Sequence, residues 1–231
     1  MDYRYATKLN AGYDNGLRTF MLGVFNKMFL ALGVTGIVSF MFCSNTQLLK
    51  TLAGGPMWLF LFAEIGIAFY LPMRLHKIQV STAFNLFFAY AVLMGISLAP
   101  IGVVYTGESI ATTFLASAAF FGSMSLIGYT TKRDLTSMGS FMSAGLIALI
   151  LMTVVNAFMR HSGMSMVIAA VGIVIFAGLT AYDVHNLKKV YNYLPDNEYI
   201  AKYSIFGAFQ LYLDFLNMFL YLLRFLGNRR D

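Results

Sequence analysis

Hydrophobic positions run through this chain in blocks, each near the ~20 residues that a helix needs to cross the hydrocarbon core of a bilayer. Seven blocks can be drawn, roughly 23–43, 57–73, 80–104, 109–130, 139–159, 164–184 and 205–227. The polar interruptions are short ("SNTQLLKTLAGGP", "RLHKIQ", "YTGES", "TTKRDLTSMG", "MRHSG"), and only the sixth, "NLKKVYNYLPDNEYIAKY", is longer. The blocks are continuous rather than alternating, which predicts helices and not a barrel of membrane strands. The pattern therefore predicts an all-α integral membrane protein with seven transmembrane helices. Residues 1–22 read as a polar leader, 23–227 as the membrane domain and 228–231 as a basic tail.

Composition agrees. Of 231 residues, 59% are hydrophobic and 11% charged, and the mean hydropathy is +0.70. No soluble domain has room to fit between the blocks. The leader lacks the basic start, short apolar stretch and cleavage site of a secretory signal. Cys43 is alone, so neither an internal disulfide nor a cysteine metal cluster is expected.

The formal charge of +6 does not point to nucleic acid, because the basic residues follow the loops. With the N-terminus in the cytoplasm, inner segments hold Arg4, Lys8, Arg18, Arg74, Lys77, Lys132, Arg133, Lys188, Lys189 and Lys202. Outer segments hold only Lys50 and Arg160 before the tail. This asymmetry predicts the cytoplasmic orientation. The tail disagrees, since a seventh crossing would export Arg229 and Arg230.

Ionisable residues deep in the blocks are few: Glu64, Asp183 and Asp214, with Arg74 at the inner end of the second block. Lys27 lies early in the first block, within reach of the headgroups. An intramembrane carboxylate is expensive and turns toward protein or water. Around Asp214, Gly207, Gln210, Asn217 and Tyr221 fall at helical spacing on one face, opposite Leu, Phe and Met. The last helix is thus expected to be surrounded by the others. Asp183 shares a face with Thr180 and Asn186, whereas His185 points elsewhere. Arg74 and Asp183 fall at similar depth in this topology, so they can meet. Glu64 has no polar neighbour nearby in sequence.

Two aspartates facing each other in a poorly solvated site resist double ionisation and hold a shared proton. Deprotonated, they offer hard oxygen ligands to a cation, fewer than the six to eight that calcium takes and so loosely binding. A pair of membrane aspartates also suggests an intramembrane protease. Tyr182–Asp183 matches half of that signature, but Asp214 is preceded by "LYL" rather than Gly-x-Gly, and the "PAL" element is missing. Gly-x-Ser-x-Gly and His-Glu-x-x-His are absent as well, and no enzyme is expected.

The C-terminal "LYLDFLNMFLYLLRFLGNRR", with "GLTAYDVHNLKK", "VYTGESIATTFLASAAFFGSMSLIGYTTKRDL" and "GLRTFMLGVFNKM", resembles the Bax inhibitor family, and most of all its bacterial branch. The resemblance spans essentially the whole chain. It implies seven helices with the C-terminal helix at the centre, the bacterial inner membrane, and a pH-sensitive calcium leak with no cofactor, calcium being the transported ion. The family's paired aspartates fall on Asp183 and Asp214 as sensor, gate and transient calcium ligands. Its latch arginine falls on Arg74, and its acidic pathway residue on Glu64, with Gln210 and Asn217 lining the same path. Expected partners are the lipid bilayer, calcium ions and protons. The alternative is a regulator that binds another membrane protein, such as a membrane protease, without transport of its own.

Overall fold

The structure, a computed structural model, describes the backbone of residues 3–53, 55 and 57–230, and their side chains from residue 15 onward apart from 46, 51–53 and 57. Arg4 and Lys8 of the leader lie outside the described side chains. The described residues form helices α1 (Tyr3–Ser44), α2 (Thr46–Ala53), α3 (Met57–Arg74), α4 (Val80–Leu98), α5 (Ile101–Val104), α6 (Gly107–Thr130), α7 (Thr136–Met159), α8 (Ser162–Tyr191) and α9 (Asn197–Leu226).

Six of these are long and apolar enough to cross a membrane: the stretch from Asn15 in α1, α4 with α5, α6, α7, α8 and α9. Their outward faces carry large apolar side chains such as Phe40, Phe141 and Phe158, the last 85% exposed. A soluble protein does not leave a surface of that kind to water. The molecule is a membrane protein. The second predicted block corresponds to α3, which at 18 residues is the shortest of the long helices and is not one of the six.

Two boundaries differ from the sequence pattern. No break separates the leader from the first block, because α1 runs unbroken through residue 22, and Leu17, Phe20 and Met21 are already in the core. The third block is broken at Ala99–Pro100 into α4 and α5, as expected where proline removes a donor and crowds the preceding turn.

α9 occupies the middle of the bundle. It packs against α8, α1, α6 and α4, and 61% of its apolar window is buried, against 11% for α7. Close approaches fix the register, as small residues do between membrane helices. A Cβ on Gly207 would strike Leu187, and one on Gly172 would strike the Tyr221 ring. These two contacts lock α8 and α9 antiparallel, with Thr180 near the level of Asp214. On the other side of α8, a Cβ on Gly128 would overlap the Ala181 carbonyl of the neighbouring turn.

The two ends of the bundle differ. At one end Phe20 packs on Tyr191 with ring centroids 5.2 Å apart, and His76 lies 5.9 Å from both Tyr199 and Tyr203. There also Lys188 donates to the Tyr129 carbonyl at 2.8 Å. At the other end the tail pairs with the α5–α6 connection. Thr106 N–H donates to the Asn228 carbonyl at 3.2 Å, and Arg230 N–H to the Val104 carbonyl at 2.9 Å.

Candidate functional site

Asp214 is 5% exposed, which puts a carboxyl in the interior of the bundle. The stripe that carries it faces α8: Gly207 abuts Leu187 and Tyr221 abuts Gly172, with the Tyr221 ring 5.9 Å from that of Phe176. The register places Asp183 about one turn from the level of Asp214. Their carboxyl groups stand within hydrogen-bonding reach of each other. The two helices thus bring together the two aspartates singled out in the sequence.

The remaining polar groups at this junction contribute little to the pair. Thr180 Oγ1 donates to its own helix, to the Phe176 carbonyl at 2.7 Å, and Asn217 Nδ2 to the Leu213 carbonyl at 2.8 Å. Gln210 is half-buried one turn before Asp214. Among the described residues, the buried side-chain atoms without a hydrogen-bond partner are Asp214 Oδ2, Ser125 Oγ and both ring nitrogens of His185. All belong to α6, α8 and α9, the three helices that meet here. Unmet polar atoms of this kind are uncommon in a packed interior and mark a place where polar contacts can change. His185, which points away from the face that carries Asp183, is 5% exposed and packs beside Gly128.

Glu64 belongs to a second cluster. It is 5% exposed on α3, and Ser97 Oγ of α4 donates to its Oε1 at 2.6 Å. The hydroxyls of Tyr90 and Tyr212 are within its electrostatic reach. Thr35 Oγ1 donates to the Ala91 carbonyl at 2.8 Å and lies 2.7 Å from the Tyr212 hydroxyl. Tyr212 and Asp214 are two residues apart and so occupy different faces of α9. The Glu64 cluster and the aspartate pair therefore lie on different sides of the central helix.

Arg74 is exposed at the end of α3, and among the described residues the only extensive packing of α3 is against α4. Arg74 forms no ion pair among the described residues. The structure does not bring it to Asp183, because α8 is not the helix that α3 packs on. Lys27 also departs from expectation. Rather than reaching outward, its Nζ donates to Ser204 Oγ of α9 at 3.0 Å and to the Gly23 carbonyl at 3.2 Å. The partners of Lys27 and Glu64 lie 177 and 33 residues away in sequence, and no local pattern signals them. Among the described residues no group of three or more His, Cys, Asp or Glu is arranged to hold a metal ion. The aspartate pair supplies two carboxyls at most.

Outside the spans, Asp134 accepts hydrogen bonds from Lys189 Nζ at 2.7 Å, Thr136 Oγ1 at 2.6 Å and Thr136 N–H at 3.0 Å. Lys189 first, then Thr136, holds its carboxyl well below the usual carboxylate range.

The family model described as Inhibitor of apoptosis-promoting Bax1 matches residues 17–231. The chain is 46% identical to RP147, an uncharacterized protein of Rickettsia prowazekii, over 226 residues that cover 97% of this chain and 96% of that one. It is 37% identical to the inner membrane protein YbhL of Escherichia coli K12 over 219 residues, 93% of this chain and 94% of the relative. An uncharacterized membrane protein of Streptococcus pyogenes serotype M3, SpyM3_0260, is 32% identical over 218 residues, covering 93% and 95%.

Proposed function

The chain belongs to the Bax inhibitor family, and from that premise we propose that it is a passive, proton-regulated leak for calcium or for cations generally, gated by Asp183 and Asp214. The observation that carries this reading is the meeting of two carboxyls, one of them 5% exposed, on the central pair of helices. Two such groups cannot both ionise cheaply at short range, so the occupancy of a shared proton decides whether the junction repels or accepts a cation. Two carboxyls fall short of a resident calcium cage, and short residence is what conduction needs.

Glu64 is a pathway residue on the α3–α4 side, and the bulk of α9 separates it from the aspartates. Arg74 is the latch, disengaged here. α3, packed extensively only on α4, is the element free to bring Arg74 toward Asp183. Gln210 and Asn217 flank the pair on α9 and line the path when it opens.

α3 crosses as a seventh span. Its 18 residues extend about 27 Å, close to the ~30 Å of the hydrocarbon core, and Phe62, Phe69 and Met73 on its surface suit lipid. The end of the bundle with Arg18, Arg74, Lys132, Arg133 and Lys188 is cytoplasmic, and YbhL's inner-membrane assignment suits a bacterial inner-membrane protein. Arg229 and Arg230 are then outside, held by the α5–α6 connection.

The test is calcium entry into dye-loaded liposomes containing the purified protein, across about pH 6 to 8. Wild type should show flux that changes with pH, and Asp183→Asn and Asp214→Asn should each flatten that dependence while keeping the wild-type melting temperature. Flux no greater than in empty liposomes, from folded protein, would overturn the leak and leave regulation of another membrane protein as the function to pursue.

A further inference from the structure

A groove of about 480 Å³ runs between α1 and α6, two helices that barely touch. Its walls are apolar, with Leu22, Phe25 and Phe29 on α1 and Phe121 and Leu126 on α6, and its floor is Phe215 of α9. A second groove of about 290 Å³ continues the same seam toward the other end of the bundle, from Leu32 to Cys43 along α1. Such a seam in a bilayer is open to lipid along its length.

Three features make the first groove more than a generic lipid-facing surface. Arg18 lines its basic end, exposed and without an ion pair among the described residues. Lys132 and Arg133 follow directly after α6 at that end, also exposed and in no ion pair among the described residues. The acidic neighbour in the same connection, Asp134, is already engaged by Lys189. Deeper, Ser125 is 6% exposed and lines the groove, and its Oγ has no partner.

We propose that this groove is a binding site for an anionic glycerophospholipid, with one acyl chain on Phe121 and Phe215 and the phosphate and headgroup charge against Arg18. Basic clefts between membrane helices at the cytoplasmic level recognise anionic headgroups in this way. The volume lies within the ~300–1,000 Å³ of ordinary ligand sites. The inference does not depend on ion conduction. It does place a lipid chain on Phe215, next to Asp214.

The test uses the full-length protein in phosphatidylcholine vesicles that contain a trace of lipid with a diazirine on one acyl chain. The headgroup is either phosphatidylglycerol or phosphatidylcholine, and labelled peptides are mapped by mass spectrometry. The phosphatidylglycerol probe should label the α1 and α6 walls about fivefold more than the phosphatidylcholine probe, while the exposed face of α7 labels equally with both. Gly122→Phe fills the groove from a position where an added Cβ meets nothing within 4 Å. It should abolish wall labelling while leaving α7 labelling and the melting temperature unchanged. Arg18→Gln, a surface change, should reduce the phosphatidylglycerol signal to the phosphatidylcholine level. Wall labelling equal for the two headgroups, or surviving Gly122→Phe, would overturn the proposal. So would protection of the walls from both probes, which would mean that a protein helix occupies the groove.

Discussion

Replacing Thr35 by valine keeps the shape of the side chain and deletes one oxygen from the junction of α1, α4 and α9. That oxygen donates its only proton to the Ala91 carbonyl, so at 2.7 Å from the Tyr212 hydroxyl it must accept, and Tyr212 donates. Tyr212 is fully buried, among the rings of Phe87 and Tyr90 at 5.5 and 6.0 Å. In Thr35→Val its hydroxyl is left as a buried donor without an acceptor, which costs about 1–3 kcal/mol. Tyr212→Phe removes the donor instead, leaves Thr35 bonded to Ala91, and should cost the ordinary ~0.5–1.5 kcal/mol of one hydrogen bond. With the phenol gone, the further change to valine has little left to break. The coupling energy should therefore be favourable, about 0.6 kcal/mol as is average for membrane-helix hydrogen bonds and at most ~1.7. The assay is reversible unfolding in mixed micelles on increasing SDS, followed by circular dichroism for wild type, both single variants and the double variant. Thr35→Val no costlier than Tyr212→Phe, or a coupling below the ~0.3 kcal/mol scatter of independent sites, would refute this account of the junction.

Other residues give sharper contrasts. Arg160 closes α7 in the left-handed region at φ 53°, where a side chain costs about 1–2 kcal/mol; Arg160→Gly should stabilise the protein by up to that amount, and a lower melting temperature would contradict it. Gly128→Ala drives a methyl into the Ala181 carbonyl and should destabilise by about 1–3 kcal/mol, whereas Gly122→Ala, with open space around its Cβ, should unfold at the wild-type denaturant midpoint; equal losses would show that α6 and α8 are not packed in this register. The carboxyl of Asp134 is depressed by Lys189 and Thr136, so its contribution is present above its unfolded value, ~3.9, and is lost only as pH falls through the lower folded value. Its carbon chemical shift should still be that of the ionised form near pH ~4, where a free carboxyl is about half protonated, and Asp134→Asn should leave any pH response of flux across about pH 5 to 8 unchanged; a midpoint at or above the free value would reject the geometry of the α6–α7 connection.

How much of this was legible depends on where each partner comes from. The interior position of α9 could be read directly, because Gly207, Gln210, Asp214, Asn217 and Tyr221 repeat at helical spacing within one segment. The meeting of Asp183 with Asp214 required a register between two helices, and that register is set by Gly172 against Tyr221 and Gly207 against Leu187, contacts that no periodicity records. Glu64 looked isolated because Ser97 and Tyr212 approach it from other helices, and Lys27 looked like a headgroup ligand because Ser204 lies far along the chain. The start of α1 was missed for a different reason. Polar residues along its first turns resemble a leader in composition, yet the backbone stays helical and one face is already apolar from Leu17. Arg74 and Asp183 share a depth in the predicted topology, but depth does not specify neighbours, and α3 packs on α4.

The placement of α9 also sets an order of assembly. Synthesis proceeds from the N-terminus, so the helix that fills the middle of the bundle is made after α1, α4, α6 and α8, which pack around it. Until it arrives, Lys27 has no Ser204 and Thr35 has no Tyr212, and α1, α4, α6 and α8 lack the 30-residue helix on which each of them packs. The clasp of Arg230 on Val104 likewise forms only after α9 has been made, so a chain interrupted before α9 keeps Lys27 and Thr35 without these partners.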